Sequence, residues 1–207
     1  MPDTPDTPES TPPRKRLKPG ERRTQILQVL AGMLEQPSAE RITTAALAAK
    51  LEVSEAALYR HFASKAQMFE ALIDFIESSV FTMVHQIVEA PHLPPPPGQA
   101  ARIASVILQF GEKNPGMARV MVGDALVLEH ERLQSRMNQF FDRIESALRQ
   151  VLRAAADAQG SMTPTAQAQV QASVWVSFMM GRLQRFTRSG FKRLPTEQLD
   201  AALRMLS

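Results

Sequence analysis

Apolar residues recur along most of this chain at the three- and four-residue spacing of an α-helix. Ile26, Leu27, Leu30, Met33 and Leu34 form one such stripe, closed by Pro37. The pattern then predicts a short helix over about 43–50, a second over 54–60 and a long one from 64 to about 89. The inward face of the long helix carries Phe69, Leu72, Ile73, Ile76, Val80, Met83 and Ile87. Prolines between 91 and 97 stop it, after which Ile103, Val106, Ile107 and Phe110 define another helix. Asn114-Pro115 reads as an N-cap followed by proline at the first helical position. Leu133, Met137, Phe140, Phe141, Ile144, Leu148 and Val151 keep the spacing as far as the polar stretch at 154–160. Thr163-Pro164 opens the next helix by the same cap logic, and Val170, Val174, Trp175, Phe178, Met179, Leu183 and Phe186 carry it to about 189. Leu199, Leu203 and Leu206 mark a short last one. Period-two alternation between turn residues is absent, so the expected class is all-α, with about nine helices and no internal repeat.

The segment 41–65, RITTAALAAKLEVSEAALYRHFASK, contains two helices too short to bury their own apolar faces. Leu47, Ala48, Leu51, Val53, Ala57 and Leu58 are spaced to meet the stripe from Ile26 to Leu34, which predicts a three-helix unit of helix-turn-helix type. Alanines at 45, 46, 48, 49, 56 and 57 keep side chains small where helices cross and where backbone must approach a phosphate. In such a unit the second short helix enters the major groove by its N-terminal residues, while the first crosses the sugar-phosphate backbone. Thr43 and Thr44 then sit where hydroxyls and amides can hold a phosphate. Ser54, Glu55 and Ala56 open the reading helix, Tyr59, Arg60 and His61 follow, and Lys65 begins the long helix behind. Glu55 either accepts from a cytosine amino group or favours the helix dipole. Tyr59 and His61 are placed for phosphate contacts, the alternative for Tyr59 being a packed ring with only its hydroxyl wet.

Composition narrows the classes. With 207 residues, 44% of them hydrophobic, the chain is long enough for two small domains or one large one. The absence of cysteine excludes disulfide scaffolds, cysteine-ligated zinc and thiol nucleophiles. No uninterrupted apolar run reaches the roughly 18 residues of a membrane span, and the first residues lack the pattern of a signal peptide, so the expected location is the cytoplasm. Residues 1–13 hold five prolines, three acids and no base, and are read as a disordered tail. The sign then flips. Arg14, Lys15, Arg16, Lys18, Arg22 and Arg23 face the single acid Glu21 directly before the first helix, which suits an arm along a phosphate backbone or into the minor groove. The alternative is a solvated flank. A second basic set, Arg182, Arg185, Arg188, Lys192 and Arg193, reads as a solvated face whose charges favour the helix C-terminus. The expected division is a tail over 1–20, a helix-turn-helix domain over 21–66 and a helical dimerisation and partner-binding domain over 67–207.

The stretch 41–65, with the long helix and helical remainder behind it, resembles the TetR family of dimeric DNA-binding proteins. RITTAALAAKLEVSEAALYRHFASKAQMFEALIDFIE at 41–77, FGEKNPG at 110–116, RLQSRMNQFFDRIESALRQVLR at 132–153 and RFTRSGFKRLPTE at 185–197 are similar, more narrowly, to a nucleoid-occluding branch of that family. This resemblance implies a homodimer that binds short palindromic sites in double-stranded DNA at the nucleoid. It implies also that the bound dimer antagonises the division protein FtsZ. It implies DNA contacts at Thr43, Thr44, Ser54, Tyr59, Arg60, His61 and Lys65, and FtsZ-facing positions at Phe75 and Asn114. Four departures stand out: Ala46 in place of a lysine, Glu52 in place of a turn glycine, Ala63 in place of a proline, and the prolines at 94–97. If position 52 needs a positive φ, its side chain costs about 1–2 kcal/mol.

The other class the residues permit is a ligand-released repressor with a pocket lined by methionine and phenylalanine. No catalytic residues, metal site or cofactor are expected. His61, His85, His92 and His130 lack metal-ligand spacing. Gly111 and Gly116 have the spacing of a phosphate loop, but Met117-Ala118 stands where lysine and a hydroxyl residue should follow.

Overall fold

A computed structural model describes residues 20–36, 41–90 and 98–206. Nine α-helices lie among them: α1 (Glu21–Leu34), α2 (Thr44–Lys50), α3 (Glu55–Tyr59), α4 (Lys65–Val88), α5 (Gln99–Lys113), α6 (Pro115–Met121), α7 (Glu131–Ala158), α8 (Pro164–Arg188) and α9 (Leu199–Leu206). The described residues contain no strand, and one 3-10 turn, Asp124–Leu126, escaped the sequence pattern. The readings placed on residues 1–19, including the basic arm of Arg14, Lys15 and Arg16, and on 91–97 lie outside the described residues.

The head forms because α1, α2 and α3 are each too short to bury an apolar stripe alone. Ile26, Leu30 and Leu34 of α1 meet Leu47, Ala48, Leu51 and Leu58, all buried. Val53 and Ala57 are only partly covered, and Phe62, which the pattern did not single out, is fully buried beneath α3.

The body is layered around α4. Its buried stripe runs through Met68, Phe69, Leu72, Ile73, Ile76, Val80, Phe81 and Val84, whereas Met83 and Ile87 sit at the margin. By length and composition alone this helix is long and apolar enough to cross a membrane. Its polar face nevertheless carries Glu70, Asp74 and Glu77, paired to Arg132 at 2.6 Å, Arg136 at 2.9 Å twice, and Arg143 at 3.9 Å of α7. Such a ladder of charges fits a core helix packed on a neighbour. Burial works against the charged form of Arg136, but the hydrogen bonds and charges of Asp74 and Glu77 together outweigh it and hold the guanidinium protonated beyond its ordinary range.

The long α7 and α8, joined by a loop of a few residues, run antiparallel, with Arg149 donating to Gln169 at 3.0 Å across them. Trp175 and Met179 of α8 belong to the core, as do Ala168, Ala172 and Val176. Val170 and Val174, expected on the apolar face, point outward at 66% and 48% exposure. The helix breaks before Pro115 and Pro164 stand where the sequence places them, but neither preceding side chain caps its helix. Asn114 instead donates Nδ2 back to the Phe110 carbonyl at 2.8 Å, closing the end of α5.

Candidate nucleic-acid interface

Two side-chain caps and one bridge build the outer edge of the head. Thr43 Oγ1 accepts from the Ala46 amide at 3.1 Å, so α2 starts there, and Ser54 Oγ accepts from the Ala57 amide at 3.2 Å, which starts α3. Thr44 Oγ1 donates to Glu55 Oε2 at 2.5 Å, locking the first turn of α2 to that of α3. Glu55 thus has a local partner, and its carboxylate is aligned with the positive end of α3 rather than left free. Ala45, Ala46, Ala49, Ser54, Ala56 and Arg60 are exposed around this edge, while Leu58 and Phe62 hold α3 down from behind. Tyr59 is 45% exposed, so its ring as well as its hydroxyl reaches solvent; His61 is half-buried.

The turn between α2 and α3 places Glu52 at φ 53, the left-handed region where a side chain is strained. This is the departure from glycine for which the sequence left a cost conditional. The Ala63 departure has a different reason. Its amide donates to Gln67 Oε1 at 2.9 Å while Ser64 Oγ accepts from the Gln67 amide at 3.2 Å, closing the entry to α4 reciprocally. A proline would have no hydrogen to give there.

Lys65 does not share the exposed edge. Its ammonium is paired with Glu129 of the body and its side chain is only 18% exposed. Glu129, at 8% exposure, also meets Arg41 at 3.6 Å, and Arg41 donates to the Leu128 carbonyl at 3.1 Å. These groups tie head to body. Phe75 projects from α4 at 51% exposure, and Asn114, half-buried, stands at the corner of α5 and α6.

Three positioning residues went unrecognised in the sequence. Arg23 of α1 donates from Nη1 to the His61 carbonyl and stacks its guanidinium 4.1 Å over the Phe62 ring, gripping the C-terminal end of α3. Arg119 of α6 donates to the carbonyls of Leu34 and Gln36, each at 3.3 Å, finishing α1. Gly116 lets α6 touch α1, since a Cβ on it would stand 2.2 Å from the Ala31 carbonyl oxygen. Only Arg23 carried a signal, its place in the basic run. The other two depend on partners 83 to 85 residues away in sequence.

Residues 26–72 match the family model described as bacterial regulatory proteins of the tetR family, and residues 99–207 match that of the tetracyclin repressor-like C-terminal domain. The chain is 48% identical over 180 residues to the nucleoid occlusion factor SlmA of Idiomarina loihiensis, covering 87% of this chain and 90% of that protein. It is likewise 48% identical over 187 residues to SlmA of Photobacterium profundum, covering 90% and 94%. Among solved structures, the TetR family transcriptional regulator PfmR of Thermus thermophilus superposes with a TM-score of 0.68 at 20% identity, covering 88% of this chain and 96% of that one. The fatty acid degradation regulator FadR of Bacillus halodurans gives 0.71 at 12% identity, covering 92% and 96%. These two likenesses concern the fold alone.

Proposed function

The chain belongs to the nucleoid occlusion factor SlmA family, DNA-binding regulators of TetR type and not enzymes, and from that premise we propose how its parts work. A head over 21–66 reads duplex DNA, and a body over 67–207 dimerises and engages the division machinery. The observation that carries the DNA-reading role is the outer edge of α2 and α3, where small or polar residues face solvent over a buried anchor of Leu58 and Phe62. Ser54, Ala56, Tyr59 and Arg60 would meet base edges and phosphates, with Thr43 and Thr44 on the backbone. Glu55 serves α3 through Thr44, and Lys65 serves the junction through Glu129. The arm of Arg14, Lys15 and Arg16 adds phosphate contacts.

Dimerisation through α7 and α8 is supported by the outward Val170 and Val174, flanked on the same face by Ala166, Ser173, Ser177 and Gly181, small enough for two helices to approach closely. Two heads so joined favour palindromic half-sites about one duplex turn, roughly 34–36 Å, apart. FtsZ is the proposed protein partner, with Phe75 and Asn114 as its contacts, and the protein acts in the cytoplasm on the nucleoid. A chromosome-wide map of bound sites tests this reading. Sites scattered around the chromosome support it, and sites confined to a few promoters favour a conventional repressor.

A further inference from the structure

The C-terminal half of α8 and the loop after it form a second basic feature, distant in sequence from the head. Its bland explanation, cations favouring a helix C-terminus, accounts for Arg185 and Arg188 in the last turn. It does not account for Arg182, one turn earlier, or for Arg193, beyond the helix. The chain brings these back together by a built turn. Gly190 at φ 61 lets the Phe191 amide reach the Phe186 carbonyl at 2.9 Å, and Ser189 Oγ accepts from the amides of Lys192 at 3.1 Å and Arg193 at 2.9 Å. Thr196 anchors the far side, its amide and hydroxyl both donating to Glu112 of α5.

Within that frame Arg182 is fixed in direction. Its Nη1 donates to the carbonyls of Pro195 at 3.0 Å and Glu197 at 2.6 Å, and its guanidinium lies 4.8 Å from the Phe178 ring centroid. Its Nε and Nη2, and the guanidinium groups of Arg185 and Arg193, have no acceptor among the described residues. The three cations bound one concavity of about 220 Å³ together with Leu194, Glu197 and Gln198, so a single carboxylate stands against three guanidiniums. Burial and the nearby charge of Arg185 both press Arg182 toward losing its proton, an imbalance that a bound anion would relieve.

We propose that this concavity is an oxyanion site that takes a phosphate or pyrophosphate group, held by the forks of Arg182, Arg185 and Arg193. Guanidinium forks match two phosphate oxygens at once, and one of the three is pre-oriented by its carbonyl bonds. The volume lies below the roughly 300–1,000 Å³ of a site for a drug-sized molecule, so the pocket seats the charged group and leaves the rest of its carrier outside. The site lies apart from the reading edge proposed for the head and does not rest on that reading.

Isothermal titration of the full-length protein with inorganic pyrophosphate, at fixed ionic strength in chloride, tests it. Binding is expected, weakened about tenfold or more by Arg185→Gln with Arg193→Gln, because each removes charge-assisted hydrogen bonds. Both side chains are exposed, and an unchanged melting temperature certifies the fold of the double variant. No binding, or equal binding to the double variant, overturns the proposal. Repeating the titration on protein saturated with a duplex selected from a random pool identifies the source of the phosphate. Unchanged pyrophosphate affinity assigns a free phosphate compound. Blocked binding, with the salt slope of duplex affinity lowered by about 0.9 in Arg193→Gln, assigns a backbone phosphate of the bound DNA.

Discussion

Arg23 sits beside the reading helix with Nη1 on the His61 carbonyl and its face on the Phe62 ring, so its removal should weaken DNA binding by displacing α3 rather than by losing a phosphate contact. A hydrogen bond from a charged group contributes about 1.5–3 kcal/mol and an exposed cation–π contact about 0.5–1. Arg23 is exposed, and solvent screens both, which brings the loss in Arg23→Ala to about 1–2 kcal/mol, a roughly 5- to 30-fold rise in Kd. Arg23→Lys keeps the charge but loses the planar fork and the stack, so it should lose nearly as much. Fluorescence anisotropy with a selected duplex across a series of salt concentrations reads both quantities. For Arg23→Ala and Arg23→Lys the slope of log K against log salt should equal that of the wild type, while Arg60→Ala, losing an exposed cation on the reading edge, should lower it by about 0.9. A slope reduced by about 0.9 in Arg23→Ala, with Arg23→Lys behaving like the wild type, would refute the positioning argument.

Three further outcomes follow from packing. Gly116→Ala would drive a Cβ to 2.2 Å from the Ala31 carbonyl, and overpacking of about 1–3 kcal/mol should lower Tm by roughly 3–10 °C in a thermal melt and loosen head from body. Glu52→Gly relieves φ 53, worth about 1–2 kcal/mol, against about 0.4–1 kcal/mol of added freedom in the unfolded chain. Glu52 also interacts with a neighbour, so the net expectation is a Tm higher by about 1–3 °C, and a fall would mean that interaction outweighs the strain. Val170→Asp with Val174→Asp places charges on the outward stripe of α8; sedimentation should show single subunits with unchanged helix content by circular dichroism.

The sequence revealed most where local chemistry decides the outcome. Helix spans followed from the 3.6-residue period, and the starts of α2 and α3 from Thr43 and Ser54, whose side chains cap their own helices. Asn114 and Thr163 looked like the same device, but Asn114 turns to the Phe110 carbonyl, a choice made by the corner between α5 and α6. Val170 and Val174 were apolar positions of the right period, yet the period cannot say which of two apolar faces on α8 packs inside. Lys65 was visible as a cation next to the reading helix, and only the fold brings Glu129, 64 residues away, against it. The positive φ values of Leu128 and Phe191 belong to corners imposed by tertiary packing and leave no mark in composition.

In the proposed function two copies of this chain present their α3 helices to one duplex. Sedimentation equilibrium of the full-length protein with a duplex selected from a random pool, at low ionic strength, measures this directly. The expected result is protein bound in pairs on a site with two-fold symmetric sequence. A complex containing one subunit, or no complex at all, would contradict it.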